Sequence, residues 1–352
     1  MFAYQHRATR VDNARRQCRM AALMERNPVE RFDDERTTAA ACVVVLGSAN
    51  IDSYVYLDRF PQPGETVFGT AGRRGLGGKG ANQAVAAALI GAATSFLGQV
   101  GADDGGAFVR DTLAGYGVDT SGLRVSPTAV TGSAQITVDA AGENTIVVVS
   151  GANAEAGPDI LGPESAALDV PAGSIGLAQG ELPAEAVAAF ARALAARGLR
   201  FILNLAPVID IAPDALRLAD PLIVNESEAL ALLARDGDPR SFGTADALDA
   251  ARRLAGTVAE SVVITLGADG AVAATGDRQW HQPAPVPAVV VDTTGAGDAF
   301  VGALAAALAG GADLETAVGR GAAAGSAAVA ALGTVDSYDA LRALAQDGVV
   351  VP

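Results

Sequence analysis

From Gly151 onward the sequence alternates short β-branched apolar runs with longer stretches rich in Ala and Leu, and this alternation restricts the fold more than any other feature. "SIGLAQ" (174–179) reads as a strand followed by a helix over 183–197, and "RFILNLA" (200–206) as the next strand. "PLIVNESEALALLA" (221–234) is a strand entering a helix. "ESVVITLGADGAVAAT" (260–275) is two strands about a glycine turn, and "AVVVDTTGAGDAFVGALAAALAG" (288–310) a strand, a glycine loop and a long helix. Strands separated by helices at this spacing pair in parallel and are covered on both faces.

The first half follows the same pattern with two interruptions. "ACVVVLGSAN" (41–50) is a strand ending at Gly47, 81–90 a helix, "TSFLGQV" a strand and "GGAFVRDTLAGYG" a helix closed by glycine. Between them, "SYVYLDRF" and "ETVFGTAG" read as two short strands joined by a proline-fixed turn, and 132–149 as a hairpin with one polar face. The chain of 352 residues is then expected to hold a leader (1–40) and one α/β domain (41–345). β pieces near 53–75 and 130–150 could pair into a small separate sheet. Half of the residues are apolar but only 5% are aromatic, so close packing depends on small side chains and backbone approach.

With 25 basic against 40 acidic residues the net charge is −15, which repels nucleic acid and anionic membranes and favours a small-molecule partner. Two cysteines (Cys18, Cys42) and two histidines (His6, His281) leave neither a disulfide framework nor a Cys/His zinc site, so acid/base chemistry falls to carboxylates. No apolar run approaches the ~18 residues of a membrane span. The stretch 39–46 reads as a buried strand rather than a signal core, so a cytoplasmic location is expected. The first 36 residues carry eight Arg and six acidic residues without periodicity, the composition of a disordered extension.

Gly75, Gly77 and Gly80 match G-x-G-x-x-G, but "GTAGRRG" before them does not read as the strand a dinucleotide fold requires, and Lys79 is followed by Gly80 rather than the Ser/Thr of a P-loop. Lys79 is the only lysine in the chain. "VDTTGAGDAFVGALAAAL" (291–308) is more specific. The backbone N–H groups of Gly295, Ala296 and Gly297 can converge on an anion at a helix start, next to the carboxylate of Asp298. Asp298 could simply cap the helix. A carboxylate beside an anion hole has a use, however, if it takes the proton of a hydroxyl attacking a phosphate. In "NESE" (225–228), Asn225 and Glu228 could hold hydrated Mg²⁺ or could form a capping box.

"GGKGANQA", "NESE" and "DTTGAGDAF", in that order, together with "GSANIDSYVYLDRFPQPGET" (47–66), resemble the signatures of the ribokinase family of carbohydrate kinases over roughly 42–340. The resemblance implies a three-layer αβα, Rossmann-like domain with a β lid that closes over the sugar. It also implies ATP-dependent phosphorylation of D-ribose at O5, with another sugar or nucleoside (2-deoxyribose, fructose, adenosine) or a non-catalytic sugar sensor as alternatives. Residues matching the family's sugar site are Asn50, Asp52, Gly78, Lys79, Asn82 and Glu181, with Asp298 as general base and the 295–298 amides as anion hole. ATP would meet Asn225 and Thr265, Leu266, Gly267, Ala268, Asp269 and Gly270, with Gly297 at its phosphates. The resemblance assigns Asn225 and Glu228 to a magnesium-linked motif, the metal reached through water. A potassium site would correspond to Asp292, Thr294, Ala328, Ala331, Gly333 and Ser337, although Leu332 and Asp336 replace the family's usual basic or proline residues there. Lys79 would lie on the sugar side, meeting hydroxyls or the transferring phosphate, and the lid implies a homodimer.

Overall fold

A computed structural model describes residues 40–234 and 242–346; apart from Ala40, the expected leader (1–40) lies outside the described residues. The core strand β1 (Cys42–Leu46) pairs in parallel with β4 (Ala93–Gly101) on one side and β8 (Ile175–Gln179) on the other. Beyond β4 lies β5 (Leu123–Ser126). Beyond β8 follow β9 (Arg200–Asn204), β10 (Ala219–Asn225), β11 (Ser261–Thr265), β12 (Ala271–Thr275) and β13 (Arg278–Gln282). The last two run antiparallel, the others parallel. The chain leaves β1 toward β4 and later returns to the other side through β8. The β1/β8 junction is therefore where strand order reverses, the position at which open α/β sheets leave a crevice beyond the strand C-termini.

Strand residues alternate between two cores. Val43 and Val45 face a core shared with α1 (Lys79–Leu89), α7 (Ala296–Ala309) and α8 (Leu314–Ala328). Val44 and Leu46 face one shared with α3 (Ala184–Ala196) and α6 (Thr244–Leu254). The remaining helices are α2 (Asp104–Gly115), the short α4 (Pro213–Leu216) and α5 (Glu226–Leu232), and α9 (Leu341–Gln346). The small residues that dominate the composition let helices touch backbone to backbone. At Gly302 a β-carbon would lie 2.5 Å from the Gln83 carbonyl oxygen and 2.6 Å from the Ala86 methyl, so any larger residue would push α7 off α1.

A second sheet has the order β3 (Ala71–Gly77), β2 (Asn50–Tyr56), β6 (Gly132–Val138) and β7 (Asn144–Val149). Two sequence readings change here. "GTAGRRG" is largely strand after all, whereas 65–70 is not. β3 contains no β-branched residue and is held by seven-residue antiparallel pairing with β2, a tertiary constraint that propensity does not carry. Because β3 belongs to the small sheet rather than the parallel one, the βαβ context of a dinucleotide fingerprint is still absent. The hairpin also lacks the expected polar face on its outer strand, where Ile146, Val147, Val148 and Val149 are all about half exposed.

The expected strand at 288–291 is not formed. The amides of Val291 and Asp292 instead donate to the carbonyl of Val329 (2.8 and 3.3 Å) beyond α8, and Val289–Val291 remain half exposed. Strands β5 and β13 were not expected. β13, "RQWHQ", carries no apolar alternation and forms by pairing with β12. Among the described residues no helix is long and apolar enough to cross a membrane.

Candidate active site

The glycine loop enters α7 through Gly295, whose φ of 79° is left-handed and whose Cβ would lie 2.9 Å from the Tyr338 hydroxyl and 3.1 Å from Thr334 Cα. The Tyr338 hydroxyl donates to the Gly295 carbonyl at 2.6 Å, fixing the turn from behind. Ala296 N–H leans toward the Thr293 carbonyl at 3.3 Å, so this amide is partly committed. The amides of Gly295, Gly297 and Asp298 have no acceptor among the described residues. Unpaired N–H groups at the positive end of a 14-residue helix form a site for an anion.

Asp298 itself is buried, at 8% exposure, so it is not a solvent-facing cap. Its Oδ2 accepts from Asn82 Nδ2 (2.9 Å) and its Oδ1 from Gln83 Nε2 (2.8 Å). Burial pushes its carboxyl upward from the usual range, while Lys79 and these two amide donors pull the other way. Asn82 Oδ1 is buried without a partner, an unused acceptor beside the Asp298 carboxylate.

Around Asp298 the structure brings together residues far apart in sequence. Lys79 and Asp298, with Asn225, Glu228 and Thr265, line a cleft of about 140 Å³ that Gly295 and Gly297 also face. Lys79 begins α1, and its amide donates to Glu181 (2.9 Å), which also accepts from the Ser48 hydroxyl. Asp298, then Glu181 and Glu228, raise the Lys79 pKa against the opposing effect of burial, keeping it charged. Gly78 caps α1 with φ 88°.

Asn50 and Asp52 lie on β2, because the second strand begins at Asn50. Asn50 Oδ1 accepts from Asn153 Nδ2 at 2.7 Å. Burial pushes Asp52 up to about 6, helped by the negative charges of Glu181 and Asp298 and opposed by Arg73.

The remaining expected residues divide. Asn225 and Glu228 form the complete capping box: the Glu228 amide donates to Asn225 Oδ1 (2.9 Å) and the Asn225 amide to Glu228 Oε2 (2.8 Å). One Glu228 oxygen is left for the cleft. Of the nucleotide segment only Thr265 lines the cleft; Leu266 and Gly270 are buried, and Gly267, Ala268 and Asp269 form an exposed turn after β11. Asp292 gathers its loop. Its Oδ1 accepts from the Thr294 amide and hydroxyl (2.9 and 2.6 Å), and its Oδ2 from the Gly333 amide (2.8 Å). Burial raises its pKa, and these bonds more than offset that, holding it low. The Ser337 hydroxyl donates to the Thr334 carbonyl at 2.7 Å. Ala328 ends α8 and Ala331 lies in the exposed turn after it; no hydrogen bond joins either to Asp292. Among the described residues no three His, Cys, Asp or Glu are grouped to hold a metal.

Residues 40–341 match the pfkB family of carbohydrate kinases. The chain belongs to this family. Among pfkB relatives it is 34% identical to a ribokinase of Staphylococcus aureus over 76% of this chain and 86% of that one. It is 31% identical to a deoxyribokinase of Salmonella typhi over 85% and 96%. In fold it is similar to Arabidopsis thaliana ribokinase complexed with ribose and ATP, with a TM-score of 0.77 and 31% identity, covering 87% of this chain and 99% of that chain. The chain is thus an enzyme of the sugar-kinase type with the ribokinase-like αβα fold.

Sequence reasoning overlooked Ser48, Gln83, Asn153, Asn204, Tyr338 and Arg73. Gln83 stood inside a quoted motif, and Asn204 ends an apolar strand, a place where a polar residue already signals a site.

Proposed function

We propose that this pfkB kinase transfers the γ-phosphoryl group of ATP to O5 of D-ribose, giving D-ribose 5-phosphate and ADP. The observation that carries the reading is the juxtaposition, within one helical turn, of a buried carboxylate and free amides. Asp298 takes the proton of the sugar hydroxyl as its oxygen bonds to phosphorus, and the electron pair of the broken P–O bond leaves on ADP. The amides of Gly295, Gly297 and Asp298 oppose the charge of the phosphoryl oxygens in transfer. Asn50, Asp52, Asn82 and Glu181 supply matched donors and acceptors for hydroxyls. Gly78 lets the chain turn between them, and Lys79 is placed to meet either the sugar or the phosphoryl group. Ribose is favoured over 2-deoxyribose because several relatives named ribokinases are 33–37% identical to this chain, against 31% for those named deoxyribokinases.

ATP would lie between Asn225, Thr265 and the 266–270 turn, with its phosphates toward Gly297. Glu228, with one oxygen free, suits a hydrated Mg²⁺, which takes few protein ligands and would neutralise phosphate charge. The Asp292 carboxylate and Thr294 with the carbonyls of Ala328, Ala331 and Gly333 and the Ser337 hydroxyl offer oxygen donors only. That set fits K⁺, which would steady the anion turn. The second sheet is read as a lid that excludes water from the transfer, and its apolar outer strand as the contact of a cytoplasmic homodimer.

The test is ADP release by purified protein with MgATP and a panel of ribose, 2-deoxyribose, fructose and adenosine, with and without K⁺. The highest kcat/KM is expected for ribose, with activity falling when K⁺ is omitted. A preference for 2-deoxyribose would transfer the assignment to the activity of the Salmonella relative.

A further inference from the structure

The polar groups behind Asp298 form a chain of hydrogen bonds that the transfer reaction does not itself touch, ending at Gln179, whose Oε1 is buried without a partner. Gln179 and Asn204 end the adjacent parallel strands β8 and β9 and are paired across them. Both side chains reach Gln83 on α1, which is wholly buried. Gln179 Nε2 donates to Gln83 Oε1 at 2.8 Å. Gln83 Nε2 donates one N–H to Asn204 Oδ1 and the other to Asp298 Oδ1, each at 2.8 Å. Asn204 is itself anchored, its Nδ2 donating to the Ile223 carbonyl at 3.1 Å.

Every hydrogen of the Gln83 amide group and its carbonyl are therefore committed, and the direction of the chain is fixed. With its carbonyl held by Gln179, Gln83 can present only N–H to Asp298. The other carboxylate oxygen faces a different partner. Asn82 donates to Oδ2, but its own Oδ1 is unpartnered, so that amide is free to turn and accept from a protonated Oδ2. We propose that Gln83, held by Gln179 and Asn204, is a positioning residue that locks Oδ1 of Asp298 as an acceptor and leaves Oδ2 as the oxygen that takes the proton of the sugar hydroxyl. The proposal rests on the reading of Asp298 as general base. Gln83 has no surface from which to touch a substrate, so its action is through Asp298 alone.

Three variants test this in the full chain, with circular dichroism confirming the fold: Gln83→Met, which removes the donor at similar volume; Gln179→Met, which takes away the donor that holds the buried Gln83 carbonyl and so loosens the amide that faces Asp298; and the double variant. Gln83→Met is expected to lower kcat about 10- to 100-fold while KM for ribose and for ATP stays within about threefold. Gln179→Met is expected to lower kcat about three- to tenfold. The double variant should be no slower than Gln83→Met, because both changes act on one oxygen. Losses that multiply, or kcat within about twofold of the parent in Gln83→Met, would overturn the proposal. Should Gln83→Met not fold, an unchanged kcat in Gln179→Met overturns it alone. Asp298→Asn assayed alongside separates the two claims: retained turnover there removes the base itself, whereas its loss with an unimpaired Gln83→Met removes only the lock.

Discussion

Asp52 shows what the site costs at the scale of one residue. Its carboxyl is buried at 8% exposure and pushed from an ordinary 3.8 up to about 6, first by burial and then by the charges of Glu181 and Asp298. The folded chain therefore binds a proton between about pH 4 and 6 that the unfolded chain does not. The penalty for keeping Asp52 charged is absent below about 4 and complete above about 6. Roughly two pKa units correspond to about 3 kcal/mol as an upper bound. Asp52→Asn is accordingly expected to raise Tm at pH 7.5, with the gain shrinking toward pH 4, while ribose affinity falls at least tenfold. Thermal melts across pH with a parallel binding titration check both; a lower Tm at pH 7.5 would show that the carboxylate is stabilised in a way its surroundings do not suggest. Residues of this kind were partly legible. Lys79 and Asp298 stood out as polar groups beside glycines, and Asn50 and Asp52 through the family resemblance, but Gln83 and Asn153 did not, because their partners lie 96 to 215 positions away and no local pattern encodes them.

At the scale of elements, the start of α7 depends on one conformation. Ala at 295 would have to adopt a left-handed backbone, costing about 1–2 kcal/mol, and its methyl would press on the Tyr338 hydroxyl and Thr334 backbone. Relief would rotate the amides that face the anion, and losing a single such donor typically costs 10²–10³ in rate. Gly295→Ala should thus lower kcat about 100-fold with ribose binding retained, measured by steady-state kinetics and calorimetry; a kcat within about threefold would show that the turn does not hold the phosphoryl group. The helix and its glycine loop were readable because an unbroken run of helix-forming Ala and Leu follows the glycines. The strand expected at 288–291 was not, since three consecutive valines favour β structure locally, yet the amides of Val291 and Asp292 are captured by Val329. "NESE" carried two readings at one spacing. Its capping box is present in the structure, and the metal role depends on a single remaining oxygen.

At the scale of the molecule, the alternation of strands and helices was enough to anticipate the parallel sheet, and the small residues its tight layers. What it lacked was the sheet's far edge, β13, and the pairing of β3, both fixed by neighbours rather than by their own sequence. The exposed edge of the second sheet has a consequence at this scale. Ile146–Val149 on β7 present four half-exposed apolar residues along a strand whose outer edge has no partner among the described residues, an arrangement that monomers avoid. For the proposed homodimer and lid, Val147→Glu should give a monomer in sedimentation velocity with a raised ribose KM; a parent protein that sediments as a monomer would refute the dimer.

Asp298 is proposed as the group that accepts the sugar proton. Asn at that position keeps the shape, and the Asn82 amide is free to turn toward it, so binding should survive while the base is lost. The decisive measurement is ribose binding by calorimetry together with kcat for Asp298→Asn. Ribose affinity within about threefold of the parent and kcat reduced about 10²–10⁴-fold are predicted; a variant that binds ribose normally and still turns over at near the parent rate would contradict the mechanism.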